Sequence, residues 1–217
     1  MNKKFDPVEW TRRAKEKRTS STFGAPKSFD QASRSVVAIL SKGTAVARSY
    51  GQEQLRISPS AVDLSRMEKA GSLPVLDSHV QTSISSAIGR ITRVWFDSGS
   101  LLGKIVFNQT AEGDRALGMV SRSEITSVSI GYQVDQWQIK DASGHVLDPE
   151  VDRIVIDGSL IFEAVKWRLL EASVVSVPAD DEANFRSFPS GKGIGAARAA
   201  RARMIMRMRA LGMRGYA

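Results

Sequence analysis

The chain has 217 residues, a formal net charge of +8, two histidines and no cysteine. That length accommodates one domain of ordinary size with tails, and a real hydrophobic core. The absence of thiols excludes disulfides, thiolate nucleophiles and thiolate zinc sites, and two histidines nearly exclude a multi-histidine metal site, so no metal or other cofactor is expected. No apolar run approaches the ~18–20 residues of a membrane span, and no signal-peptide apolar segment opens the chain. A soluble cytoplasmic protein without a membrane partner is expected.

The charge is unevenly placed. Residues 1–35 carry nine Lys/Arg against four Asp/Glu, residues 191–217 seven against none, and the middle fifteen against nineteen. A nucleic-acid-binding domain would put its basic residues on the folded body. Here they belong to the ends, so nucleic acid is not expected as the main partner.

Phe5 to Arg18 reads as a highly charged helix, and Thr19 to Ser33 as a linker. The body opens near Ser35 with Val-Val-Ala-Ile-Leu, a run of the buried-strand type. Ser58-Pro59 and Gly71 predict a helix over about 59–70, with a serine cap, proline in the first turn and glycine past the end. Residues 88–96 and 101–107 read as strands joined by the hairpin turn Asp97-Ser98-Gly99-Ser100. A weaker helix, interrupted by Gly113 and Gly118, spans about 111–121. Strands follow at 126–137, 161–168 and 170–177. Gly191 to Ala196 superficially matches a dinucleotide-binding loop, but no second strand follows to complete that unit. It reads as a hinge into a basic helix, Ala197 to Leu211. The pattern is a β-rich α+β fold, barrel or sandwich, in one domain over 34–188. A basic N-terminal helix and linker (1–33) and a basic C-terminal tail (189–217) flank it.

Strand 126–137 alternates. Thr126, Val128, Ile130, Tyr132 and Val134 form a core face, while Ser127, Ser129, Gly131, Gln133 and Asp135 face water or a cleft. Gly131 leaves room there for another chain segment or a ligand. By itself this is an ordinary polar strand face. His79, after Pro74-Val75-Leu76-Asp77-Ser78, would alone be an ordinary structural histidine, and His145 sits in the turn-forming run Asp141-Ala142-Ser143-Gly144. Glu171 lies in an otherwise apolar strand and needs a partner, either an arginine or a histidine ring nitrogen.

Several stretches taken together, in order, resemble the prohead (capsid maturation) serine proteases of tailed phages. They are Tyr50-Gly51 through Ile57-Ser58, Pro74-Val75-Leu76 leading to His79, and Ile88-Gly89-Arg90-Ile91. Ser127-Val128-Ser129-Ile130-Gly131-Tyr132 and Leu170-Glu171-Ala172-Ser173 through Pro178-Ala179 complete the set. The resemblance runs from about residue 45 to 186. It implies a small β-barrel-like domain flanked by a few helices, similar to the herpesvirus assemblin proteases. It also implies Ser129 as nucleophile, His79 as base and Glu171 as the residue that orients the imidazole. In the assemblin relatives the third member is a histidine, which leaves His145 as the alternative to Glu171. No arginine stands in a matching position after Glu171, so the resemblance assigns no oxyanion donors. The implied substrates are phage scaffold and major capsid protein, and the chain itself, cut inside the assembling prohead in the host cytoplasm. Self-association is a further expectation. The rival reading is an inactive capsid scaffold or assembly protein with basic partner-binding tails.

Overall fold

The computed structural model describes residues 26–186, apart from Arg153, Ile156 and Asp157. The expected helices over 5–18 and 197–211 and the glycine hinge lie outside the described residues. Within them run ten strands: β1 (Ser35–Ser41), β2 (Val46–Arg48), β3 (Gly51–Leu55), β4 (Val62–Asp63), β5 (Leu73–Asp77), β6 (Ala87–Asp97), β7 (Ser100–Phe107), β8 (Ser127–Lys140), β9 (Val146–Leu147) and β10 (Ile161–Val175). Two α-helices join them, α1 (Ser65–Ala70) and α2 (Ala111–Ser121). The strands form one sheet, ordered β1-β7-β6-β5-β10-β3-β2 and curled into a half-barrel, so the expected strand-rich, barrel-like fold is what the chain adopts.

The long strand β10 organises the sheet. One edge pairs in parallel with β3, β4 and β5 in turn, and the other pairs antiparallel with β8 along nearly its whole length. Its C-terminal half, Leu169–Val175, is buried on both faces and is accordingly mostly apolar, whereas Lys166 and Arg168 of its first half reach solvent. The two strands expected at 161–168 and 170–177 are this single element, with a register irregularity between Leu169 and Glu171. The hairpin expected at Asp97–Ser100 is present. Ser98 and Gly99 both adopt positive φ (51° and 75°), as the primed turns that match strand twist require.

The expected helix over 59–70 is shorter. Ser58 to Ala61 form a turn, and Val62 and Asp63 pair instead with Trp167 and Arg168 of β10. Helix α1 then starts after Leu64, with Asp63 Oδ1 accepting the Ser65 N–H at 2.8 Å, and ends at Gly71 in the left-handed conformation. Sheet pairing outcompetes the Ser-Pro start signal, while the glycine stop signal holds. In α2 the glycine that seemed to weaken the helix is required. A Cβ on Gly113 would lie 2.2 Å from the Asn108 carbonyl oxygen, and its N–H is capped by Thr110 Oγ1.

The core lies between the curled sheet and α2. Trp167, Phe107, Leu40 and Ile91 are fully buried in it, with Leu117 and Val120 of α2 closing one side. Before β1, Phe29 packs against this core and Ser28 Oγ donates to the Arg186 carbonyl at 2.7 Å, tying the two ends of the body together.

Candidate active site

Because β10 lies between β5 and β8, it gathers residues that are remote in sequence. In register, Ser173 pairs with Leu76 of β5 on one side and with Ser129 of β8 on the other, while Glu171 pairs with Gly131. His79 follows the end of β5. Three neighbouring strands therefore bring His79, Glu171 and Ser129 to one face of the sheet.

Glu171 is almost completely buried, and its two oxygens are divided between two partners. Oε1 lies 2.7 Å from His79 Nδ1, and Oε2 accepts the Ser173 hydroxyl at 2.8 Å. The partner that the sequence required for this carboxylate is the histidine ring, not an arginine. Ser173 is used twice, since its Oγ also accepts the His79 backbone N–H at 3.0 Å. The hydroxyl thus locks both the carboxylate and the backbone that carries the imidazole. That backbone is unusual. Ser78 and His79 both have positive φ (50° and 61°), a conformation that costs a non-glycine residue about 1 kcal/mol or more. Bonds from Ser78 N–H to the Val174 carbonyl and from Val80 N–H to the Asp77 carbonyl hold the turn.

Gly131 makes the carboxylate's position possible. A Cβ there would lie 2.2 Å from Glu171 Oε1. The gap foreseen on the polar face of this strand is filled by a side chain of the site itself. Ser129 is 6 % exposed, whereas Gln133 and Asp135 on the same strand face are exposed, so the face is covered at its Ser129 end and meets water at the other. Its hydroxyl makes no side-chain hydrogen bond among the described residues, whereas Ser173 next to it is fully engaged.

His145 is placed elsewhere. It lies in the exposed turn after β8, where its N–H and carbonyl bond to Asp141. Lys140 is eleven residues from Ser129 along β8, or about 36 Å of extended strand. The structure does not bring His145 to this face.

Sequence reasoning missed a second buried carboxylate, Glu53 of β3. It accepts hydrogen bonds from Tyr50, Tyr132 and Arg48. Burial pushes the Glu53 carboxyl up, but these donors outweigh it and hold it below the usual carboxylate range. Tyr132 is pushed up to about 12, first by burial and then by its bond to Glu53. This cluster anchors β8 three residues past Ser129. A Glu in the polar run Gly51–Leu55 gave no signal of it.

A carboxylate that accepts Nδ1–H fixes the tautomer of an imidazole, leaving Nε2 free to take a proton, and would stabilise the imidazolium. Ser129 stands on the adjacent strand without a hydrogen bond to His79 among the described residues, and hydroxyl, imidazole and carboxylate are the groups that acyl transfer through a serine would need. Comparison with known proteins gives the family. The model of the caudovirus prohead serine proteases matches residues 27–192, most of the chain, which therefore belongs to that family. A similar protein is the major capsid protein of Halomonas phage phiHAP-1, 26 % identical over 136 residues, which are 62 % of this chain. The match takes in only 20 % of that relative's length. No solved structure matches.

Proposed function

We propose that this chain is an endopeptidase of phage head maturation that works through an acyl-enzyme on Ser129. The observation that carries this reading is the bond of exposed His79 to buried Glu171, which lies on the strand adjoining that of Ser129. Serine is a weak nucleophile near neutral pH, so His79 Nε2 takes the Ser129 proton as Oγ attacks the scissile carbonyl. The imidazolium formed is stabilised by Glu171 through Nδ1–H, and gives its proton to the leaving amine. Water, deprotonated in turn by His79, then releases the acyl group. Scaffold and coat-protein segments inside the assembling prohead are the proposed substrates. The likeness to part of a protein named as a major capsid protein supports this association with the coat.

Labelling with a fluorophosphonate tests the assignment. The full chain should label at one serine. Ser129→Ala should abolish labelling and cleavage of coat or scaffold protein, and Ser127→Ala should retain most of both. Labelling that persists in Ser129→Ala, or a dead Ser127→Ala, would overturn the choice of nucleophile.

A further inference from the structure

Two depressions that share Arg66 and Leu170, with volumes of about 390 and 550 Å³, form a groove that reaches Glu171; His79 and Ser129 do not line it, and Ser129 lines a separate small cavity with Leu40 and Tyr132. The near one has a mixed wall, with Pro74, Leu76 and the 97 % exposed Ile84 beside Gln81, Thr82 and Glu171. The far one is bordered by Lys69, Gln133 and Arg168. Three cations thus line the groove, and its one lining carboxylate, Glu171, is held by His79 and Ser173. Arg168 is neutralised by Asp63 at 2.9 Å and Asp135 at 3.7 Å. Arg66 and Lys69 lie three apart on α1, so they share one side of it, are both exposed, and form no ion pair among the described residues.

The register sets a distance. Ser129 pairs with Ser173, Gly131 with Glu171 and Gln133 with Arg168, so the cationic end of the groove lies four strand residues from Ser129. At ~3.3 Å per residue this is about 13 Å, the span of roughly four residues of an extended substrate. We propose that the substrate runs along this groove on one side of the scissile bond, and that Arg66 and Lys69 select an Asp or Glu about three to five residues from that bond. Naming the bond rests on the protease reading, but occupancy of the groove does not. The chain's own residues 191–217, with seven Lys/Arg and no acidic residue, are a poor occupant.

Digestion of a mixed synthetic dodecapeptide library by the full chain, with products sequenced by mass spectrometry, tests the selectivity. Asp and Glu should be enriched roughly three- to tenfold at one of those positions, the size expected of two exposed charge pairs, and less so in high salt. R66E with K69E should invert the enrichment toward Lys and Arg, and the milder R66Q with K69Q should abolish it. A cleavage profile indifferent to acidic residues, or unmoved by these substitutions, overturns the proposal. A second arm needs no turnover. In full-length Ser129→Ala, a fluorescent acidic dodecapeptide should bind several-fold more tightly than its Asn/Gln analogue, and R66E with K69E should erase the difference. Equal binding of the two peptides overturns the groove assignment whether or not the wild type cleaves. Selective binding by a chain that cleaves nothing would instead sink the protease reading alone.

Discussion

Adding one methyl group at Gly131 tests the geometry of the site more sharply than removing any catalytic group. In Gly131→Ala the new Cβ would sit 2.2 Å from Glu171 Oε1, 2.9 Å from Cδ and 3.0 Å from Cγ. Ordinary contact needs about 1 Å more, and the carboxylate has nowhere to go without stretching its bonds to His79 Nδ1 at 2.7 Å and Ser173 Oγ at 2.8 Å. Overpacking of this kind costs about 1–3 kcal/mol, which for a domain of this size lowers Tm by roughly 2–10 °C. The catalytic effect should be larger than the effect on stability. Misplacing a reacting group by about 1 Å costs ~10²-fold, and loss of a triad carboxylate costs ~10⁴-fold. Activity of Gly131→Ala should therefore fall by about 10²–10⁴ while the chain remains folded. Peptide kcat/KM, the rate of fluorophosphonate labelling and a thermal melt measure the three quantities. In a Glu171→Ala background the clash disappears, so the added methyl should cost little more than about threefold. If Gly131→Ala alone melts and cleaves as wild type does, the reasoning from this contact is wrong.

Four further outcomes are expected. Glu171→Gln should leave weak but measurable peptidase activity and His145→Ala should be nearly silent in the same assay; the reverse pattern would move the third role to His145. Ser173→Ala should lower kcat more than it raises KM, because Glu171 and the His79 backbone each lose a partner, and an unchanged kcat would leave Ser173 a packing role only. Glu163 is held below the usual carboxylate range by Arg56 foremost, and Asp63 is lowered to about 2 by Arg168 foremost, with Glu53 depressed as described. Depressed carboxyls stabilise the fold fully above their unfolded values near ~4 and lose that contribution as pH falls toward the folded ones. The urea midpoint should accordingly drop from about pH 5 downward, less steeply in Glu163→Gln. A chain beginning at residue 34 should melt roughly 3–8 °C below one beginning at 26, since it lacks Phe29 and the Ser28–Arg186 bond.

The parts of the fold that were legible in the sequence are those governed by local chemistry. The Ser98-Gly99 turn, the Gly71 stop and the alternation of β8 are each written within a few neighbouring residues. What escaped depends on distant pairing. The Ser58-Pro59 start signal lost to the pairing of Val62 and Asp63 with β10, and no local pattern in 161–177 could reveal one bulged strand in place of two. At the site, the isolation of Glu171 in apolar surroundings correctly demanded a partner. Its choice between arginine and histidine was made by the parallel β5–β10 pairing, which joins residues more than ninety positions apart. Ser173 looked like any small strand residue, and only the β5–β10 pairing places its hydroxyl between Glu171 of its own strand and the His79 backbone.

The central seat of β10 also carries a consequence for timing. It is the last strand among the described residues to leave the ribosome, yet it must enter between β5 and β8, which are made earlier. Contacts of such long sequence separation form late, because the intervening loops must close first. Until then His79 has no carboxylate beside it, and the turn at Ser78–His79 lacks the Val174 and Ser173 bonds that hold its left-handed backbone. A growing or partly folded chain would carry Ser129 and His79 without the strand that aligns them, and on the proposed reading would be silent toward neighbouring proteins. Activity would then switch on in one step, when the final strand is seated.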